Sequence, residues 1–437
     1  MKLDDLGNWR RTHKCREITE QLDGQEVIVM GRVGDIRDLG GIKFFILHDI
    51  SGSIQITASR KKTDPETLSK MDALTQESSV AVRGKVVKAR QAPRGVEVVP
   101  SEIRILNLAA TPLPLDPGGK VKANLDTRLD ARGLDLRRAE AIAIFKIRNQ
   151  ALKTIRDYLL SQGFIEVQTP KIVATATESG AALFPISYFD REAFLSQSPQ
   201  LYKEVLTGAF DRVFEVGPIF RAEEHDTPRH LNEATSIDIE AAYLTAGDVM
   251  EILEELIWRA FDSVKRNCAE ELRILNHGLE MPEKPFPRIT YDEAIEKLNA
   301  AGININWGED LSTPAERKLA EIIGGAYFIV DWPLALKPFY TLPKGDKLGD
   351  AFDLMYRELE LASGGSRIHS EEMLVKQMKE KGLNPENFES HLLSYRYGLP
   401  PHAGFGLGLD RLTMVLTGAE NIRECVLFPR DRRRLTP

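Results

Sequence analysis

Cysteine is scarce in this 437-residue chain. The three residues Cys15, Cys268 and Cys425 lie far apart, with none of the short spacings of a metal site. They read as free thiols of a reducing compartment, which excludes a disulfide scaffold. Long apolar runs are also missing. The longest, such as Phe44–Leu47 and Val426–Phe428, cannot cross a bilayer, and the N-terminal stretch MKLDDLGNWRRTHKC has no apolar signal region. No membrane partner is expected, and the chain reads as cytoplasmic. Nor is there a strong excess of basic charge. With 58 Lys+Arg against 65 Asp+Glu the net charge is -7, which argues against indiscriminate nucleic-acid binding. Low-complexity tracts and internal repeats are absent. What remains is ordinary globular chemistry, 42% hydrophobic and 28% charged, long enough for two to four domains.

The charge is uneven: the first 110 residues are slightly basic and the remainder is acidic. That first block reads as strands at Glu26–Val33, Ile42–His48, Ser53–Ala58, Val80–Ala89 and Gly95–Val99, with a helix near residues 65–75. Short strands with glycine turns predict a small barrel, with a five-stranded OB type as the natural candidate. The segment Thr111–Lys120 holds three prolines and two glycines and reads as a linker. The domain expectation is therefore 1–110 for the barrel, 111–137 for the connector and 138–437 for a second domain.

The second block opens with helical periodicity from Ala139 to Gln162, stopped by Gly163. Strands follow at Phe164–Gln168, Val213–Phe220, Ser236–Ala241, Tyr327–Val330, Arg357–Ala362 and Gly404–Leu407, the last running into a helix over Asp410–Leu416. Neighbouring strands often lack a crossover helix between them, which predicts an α+β domain built on an antiparallel sheet.

Three separated segments carry chemistry. Gly163-Phe-Ile-Glu-Val-Gln-Thr-Pro170 ends a helix and strand on a proline. In Phe214–Glu233 an arginine, Arg221, ends a buried-looking strand, a polar loop follows and the chain returns. A guanidinium on a rigid strand can clamp phosphate or carboxylate through its planar fork. In Gly404-Phe-Gly-Leu-Gly408-Leu-Asp-Arg411 three alternate glycines allow close approach of a flat ligand, and Arg411 then opens a helix. Taken singly, each could be a charged hairpin or a packing site.

In order and spacing these segments resemble motifs one, two and three of the class II aminoacyl-tRNA synthetases. The stretches Ala174–Gly180, Gln197–Lys203, Phe352-Asp353, Glu360–Arg367 and Phe428–Arg434 resemble the aspartyl enzymes of archaeal type. The resemblance spans essentially the whole chain and implies ATP-dependent ligation of L-aspartate to tRNA through aspartyl-adenylate, by a homodimer with Pro170 near the shared interface. It implies an aspartate site of Glu178, Gln200, Lys203, Arg221, Ser363 and Arg367, with Lys203 and Arg367 as cations for the substrate's second carboxylate. On that reading a neutral amide leaves two buried positive charges unpaired, which is costly. The implied ATP site is Arg221, Ala222, Glu223, Arg229, His230, Leu231, Glu360, Gly408, Leu409, Asp410 and Arg411. The implied Mg²⁺ ligands are Asp353, Glu360 and Ser363.

The barrel is implied to read the anticodon through Phe44, Gln55 and Glu97, as OB-folds read single strands. Two positions depart from the pattern of tRNA(Asp)-restricted enzymes. Gly34 stands where a Trp is expected and Pro93 stands near an expected Lys. Both expected residues bear on the third anticodon base, so their absence implies that tRNA(Asn) is charged with aspartate as well as tRNA(Asp). The competing readings are a strictly tRNA(Asp)-specific enzyme, an asparaginyl or lysyl ligase, and a non-catalytic RNA-binding paralogue.

Overall fold

A computed structural model describes residues 3–174, 183–224 and 227–437. The chain forms two compact units, 1–127 and 128–437.

In the first unit the strands are β1 (Glu26–Asp38), β2 (Ile42–Asp49), β3 (Gly52–Ser59), β4 (Ser79–Lys88) and β5 (Val96–Asn107), with helix α1 (Pro65–Ala73) between β3 and β4. They close a barrel in the order β1-β2-β3-β5-β4. Alternation sets the inside. On β2, Phe45 and Leu47 are buried while Phe44, Ile46 and His48 point outward, as a period of two requires. Val29, Phe45, Ile56, Val82 and Val98 fill the core. Helix α1 starts at Asp64, whose carboxylate accepts from the backbone N–H of Glu66 and Thr67. Strand β5 runs eight residues beyond the sequence expectation, to Asn107. Its later part alternates less cleanly because Pro100 sits beside an irregularity in the β4–β5 pairing.

In the second unit the elements that position the site are helix α2 (Ala139–Ser161), β6 (Ile165–Glu166), α3 (Gln200–Phe210), β7 (Arg212–Phe220), β8 (Glu233–Ala242), α4 (Ala246–Asn267), β9 (Arg288–Thr290), β10 (Ala326–Val330), β11 (Ala351–Tyr356), β12 (Leu359–Ser366), β13 (His402–Gly408) and α5 (Leu409–Thr417). Among the described residues the strands make one eight-stranded sheet, ordered β9-β10-β11-β12-β13-β8-β7-β6. The six central strands pair antiparallel, and the edge pairs β9–β10 and β7–β6 are parallel. The core packs α2 and α4 on one face, with Ile147, Ile155, Leu253, Ile257 and Phe261 meeting Ile237, Ile239, Phe405 and Leu407 of the sheet. Gly163 adopts φ +80° two residues past α2, the left-handed conformation that ends a helix.

Several elements differ from the sequence reading. The strand expected at 164–168 is only Ile165–Glu166. The one expected from Arg357 begins at Leu359, because Arg357 turns the chain at φ +53°. Strand β11 was hidden because all of Ala351–Met355 is buried, so it shows no alternation. Residues 128–137 pack within the second unit, although the connector was expected to run through them. Arg132 and Asp135 form a fully buried ion pair at 2.5 Å, and Arg132 donates to the carbonyls of Val426 and Leu427. A charged stretch reads as linker until its charges are seen to neutralise one another. The three cysteines are free and buried, and burial raises Cys15 to about 12 and Cys268 to about 11. Among the described residues no helix is long and apolar enough to cross a membrane.

Candidate active site and nucleic-acid face

The central strands open onto a cavity of about 260 Å³. Twelve sequence-predicted residues line it: Gln200, Arg221, Glu223, Arg229, His230, Leu231, Glu360, Ser363, Arg367, Gly408, Asp410 and Arg411. Lys203, Ala222, Asp353 and Leu409 do not. Glu178 lies outside the described residues.

The floor is an ion array built on β8. Asp238 and Glu240 are two residues apart and so share a face. Opposite them on β13 stand glycines: Ser236 pairs with Gly408, Asp238 with Gly406 and Glu240 with Gly404. A Cβ on Gly404 would lie 2.1 Å from the carbonyl oxygen of Ile239 and 2.2 Å from Glu240 Oε2, and one on Gly406 would lie 3.1 Å from Asp238 Oδ1. Gly404 therefore makes room for a carboxylate of the protein itself, while Gly406 and Gly408 line the cavity.

Lys203 rises from the first turn of α3 to 3.0 Å from Asp238 Oδ1 and 3.3 Å from Glu240 Oε2, and donates to Phe405 O at 3.2 Å. Arg367, just past β12, donates through Nε to Glu240 Oε1 at 3.0 Å and through Nη2 to Gly404 O at 2.9 Å. Burial works against the guanidinium's charge, but Glu240 more than offsets it and drives the pKa above the ordinary arginine value. This corrects the expectation of two cations left unpaired by a neutral ligand. Both already have carboxylate partners: Lys203 donates to Asp238 Oδ1 and Phe405 O and is ion-paired with Glu240, whose Oε2 is buried without a hydrogen-bond partner. Arg367 faces the cavity with Nη1 unengaged among the described residues. The sequence signal for Asp238 and Glu240 was available: acids alternating with isoleucines in Ser236-Ile-Asp-Ile-Glu240 mark an acidic strand face.

Behind the floor, Gln200 donates its amide to Glu204 Oε1 at 2.5 Å. Tyr395 donates its hydroxyl to the other oxygen of Glu204, and His391 stands 3.4 Å away. Burial opposes ionisation of Glu204, yet His391 and His402 hold its carboxyl well below the usual range. That bond occupies the Gln200 amide nitrogen, and Gln200 itself lines the cavity.

At the other end Arg411, in the first turn of α5, donates to Glu360 O at 2.9 Å and lies 3.4 Å from His230 Nε2. Arg229 pairs with Glu358 at 3.1 Å. Arg221 follows β7 and is half exposed, with Glu223 3.9 Å away, and Asn232 ties the loop by donating to the carbonyls of Arg221 and Glu223. Two expected nucleotide contacts need correction. Asp410 has both carboxylate oxygens engaged, one by Arg148 at 2.5 Å and one by the Thr235 N–H at 2.8 Å, so it fastens α5 to the sheet. Leu409 sends its side chain into the core. Lys337, unforeseen from sequence, lines the cavity and holds Asp353 Oδ2 at 2.7 Å.

The family model for class II tRNA synthetases (D, K and N) matches residues 124–432, and that for the OB-fold nucleic acid binding domain matches residues 27–106. The chain belongs to the class II aminoacyl-tRNA synthetases. Aspartate--tRNA(Asp/Asn) ligases from Methanocaldococcus jannaschii and Methanococcus aeolicus are 56% and 55% identical to it, over 98–99% of this chain and 99% of each relative. Its fold matches the crystal structure of Pyrococcus horikoshii asparaginyl-tRNA synthetase complexed with asparaginyl-adenylate, at TM-score 0.92 and 34% identity, covering 98% of this chain and 100% of that one. Aspartyl tRNA synthetase from Entamoeba histolytica matches at TM-score 0.87 and 33% identity, covering 100% and 96%. Synthetases of this class use ATP.

Whether the synthetase's residues suit Mg²⁺ is tested by their chemistry. Asp353 Oδ1 is buried with no hydrogen-bond partner, Ser363 pairs directly across from Asp353, and Glu360 lines the cavity beside them. Burial and the charge of Glu360 push the Asp353 carboxyl up, against the pull of Lys337. An orphaned carboxylate oxygen, a second carboxylate and a hydroxyl are hard donors, and they fit this cation.

On the barrel of this synthetase, Gln55 on β3 donates to Glu97 at 2.9 Å and to Thr57 at 3.0 Å, and Thr57 donates to Glu97 at 2.7 Å. Both amide hydrogens of Gln55 thus have acceptors. Phe44 shares the outer face, paired with Thr57. Pro93 sits exposed in the β4–β5 turn, and Gly34 is buried against β2.

Proposed function

We propose that this synthetase activates L-aspartate with ATP and transfers it to tRNA(Asp) and also to tRNA(Asn), in the cytoplasm. The observation that carries the reading is a single cavity lined by four guanidiniums, Arg221, Arg229, Arg367 and Arg411, with an acidic and amide floor between them. The printed names of the methanogen relatives support the choice of amino acid and of both tRNAs.

In the first step a carboxylate oxygen of aspartate attacks the α-phosphorus of ATP, the bond to the β-phosphate bridge oxygen breaks and pyrophosphate leaves. Arg221 holds the α-phosphate and the attacking carboxylate, and Arg411 holds the γ-phosphate. Positioning and neutralisation by these fixed charges lower the barrier. Glu223, Arg229, His230, Leu231 and Gly408 shape the nucleotide's place. Asp353, Glu360 and Ser363 would hold Mg²⁺, which supplies further neutralisation of the phosphates. In the second step a ribose hydroxyl of the terminal adenosine attacks the acyl carbon, its proton passes to a phosphate oxygen of the adenylate, and AMP departs with the anhydride oxygen.

Gln200 accepts from the substrate's ammonium through the oxygen left free by Glu204, with Glu178 and Ser363 as further partners. Arg367 reads the side-chain carboxylate through the Nη1 and remaining Nη2 N–H groups. A carboxylate answers that fork with two oxygens. A carboxamide answers with one and sets its own N–H₂ against a donor, and an ammonium meets a like charge. Lys203 neutralises the floor from behind and keeps Asp238 and Glu240 from repelling the substrate.

Phe44, Gln55 and Glu97 meet unpaired anticodon bases, and Gly34 and Pro93 relax reading of the third. A homodimer buries the edge beside Pro170, where Ile165 and Ile172 are exposed. The test is ATP–pyrophosphate exchange with aspartate, asparagine and lysine, followed by aspartylation of both tRNAs. Exchange supported by aspartate alone, with both tRNAs charged, is expected. Exchange supported equally by asparagine refutes the pocket, and no exchange at all refutes catalysis.

A further inference from the structure

Gly34 lies in the outer wall of the barrel, beside the irregularity where β1 pairing with β2 slips between Val33 and Ile36. Its φ is not in the left-handed region, so conformation does not demand a glycine there. Space does. A Cβ on Gly34 would lie 2.4 Å from His48 Nε2, 2.6 Å from His48 Cδ2 and 3.1 Å from Ile46 O. The volume a position-34 side chain would fill is taken by the imidazole of His48, arriving from the neighbouring strand. His48 shares the outer face of β2 with Phe44 and Ile46 and is solvent-exposed. Ile46 pairs directly with Gln55, and His48 pairs with Ser53 two residues earlier on β3. The ring therefore stands one diagonal step from Gln55, within side-chain reach.

Resting on the tRNA reading above, we infer that His48 reads the third anticodon base and is what lets that position be either C or U. Asp and Asn codons differ only in their first letter, so the two tRNAs differ at this base. Cytosine offers an amino donor at position 4 and an acceptor at N3. Uracil offers the reverse, an acceptor at O4 and a donor at N3. A neutral imidazole carries one donor and one acceptor nitrogen, and exchanges them by changing tautomer or turning over. The one nitrogen turned to the base can accept from the cytosine amino group or, as the other tautomer, donate to uracil O4, whereas a fixed donor serves only uracil. Desolvation against the wall and the Arg32 guanidinium hold this imidazole below its ordinary pKa, against Glu77, Asp35 and Asp49, which supports the neutral form at pH 7. On this inference the ring's bulk over Gly34 crowds a purine more than a pyrimidine.

The test uses the full-length enzyme and four tRNA(Asp) transcripts carrying C, U, A or G at the third anticodon position. The wild type is expected to aspartylate the C and U transcripts within about tenfold of each other and the purine transcripts far less, since a wrong base typically weakens recognition by tenfold or more. His48→Ala should lose about tenfold in kcat/KM on both pyrimidine transcripts and narrow the gap to the purines. His48→Ala with Gly34→His, which returns an imidazole to the vacated space from β1, should restore the pyrimidine preference. If the alanine variant unfolds, His48→Leu carries the same expectation. A folded His48→Ala or His48→Leu within twofold of wild type on all four transcripts overturns the inference, as does a folded double variant that restores nothing. Wild-type enzyme charging only the C transcript instead overturns the two-tRNA reading itself.

Discussion

Replacing Lys203 with methionine removes one charge from the floor of the cavity and keeps most of the side-chain volume. The ammonium sits 3.0 Å from Asp238 and 3.3 Å from Glu240, with 2% of the side chain exposed. Without it, among the described residues Asp238 keeps the Ser236 hydroxyl at 2.5 Å and Glu240 keeps Arg367. Breaking one side of a buried ion pair costs about 3–5 kcal/mol, because the abandoned charge stays in low dielectric. Two carboxylates share this lysine, so the upper end of that range is expected for Lys203→Met in urea titrations followed by circular dichroism. Aspartate-dependent exchange should fall at least about 30-fold in kcat/KM, the lower end of what losing a buried charge partner costs. Adding Asp238→Asn removes the stranded negative charge. The double variant should then recover about 2 kcal/mol relative to the sum of the single changes. A Lys203→Met protein less than about 1 kcal/mol weaker than wild type, or a strictly additive double variant, refutes the ion-array account.

Gly404→Ala drives a Cβ to 2.1 Å from a β8 carbonyl and 2.2 Å from Glu240. The central strands must part, and a loss of at least about 1–3 kcal/mol with collapse of exchange is expected. In Gly408→Ala the nearest atoms are the protein's own Arg411 side chain at 3.7 Å. Its stability should hold within about 0.5 kcal/mol while the KM for ATP rises, as read by calorimetry and exchange kinetics. A third expectation concerns pH. Burial opposes protonation of His402, but Glu204 outweighs it and raises the imidazole above 6.5, while Glu204 itself is held below 4.5. The raised histidine stabilises the fold fully below pH 6.5, and its contribution is lost as pH rises through the higher folded value. The depressed carboxyl contributes above 4.5 and fails as pH falls through its lower one. The stability difference between wild type and His402→Gln should therefore be largest between about pH 4.5 and 6.5 and shrink toward pH 9. A difference that grows with pH contradicts the pairing.

The elements most legible in the sequence were those whose pattern has a simple physical cause. Period-two alternation marked β1–β5 because a barrel wall has one wet face. Helical periodicity and Gly163 marked α2, and Arg221 and Arg411 were visible as cations at the ends of apolar runs. Strand β11 was not visible, since burial on both sides erases alternation. The connector reads longer in sequence than it is in the fold, because Arg132 and Asp135 look solvated until they pair. Lys203 and Arg367 stand out in the sequence as cations, without the partners that define their part in the floor. A single sequence shows that a cation is present without showing which acids, here Asp238 and Glu240, already hold it.

Position 34 makes the same point more sharply. Read along the chain, Gly34 is an absence, a missing side chain that implies relaxed recognition. Read across the sheet, the space is full, because β2 delivers the His48 imidazole to within 2.4 Å of where that side chain would begin. Specificity in a barrel belongs to a volume on its face rather than to a sequence position, and any strand bordering the volume can fill it. A substitution at Gly34 alone therefore cannot be interpreted as adding a contact, because it also evicts the ring already there. Only the paired change, with His48 shortened first, separates the two effects.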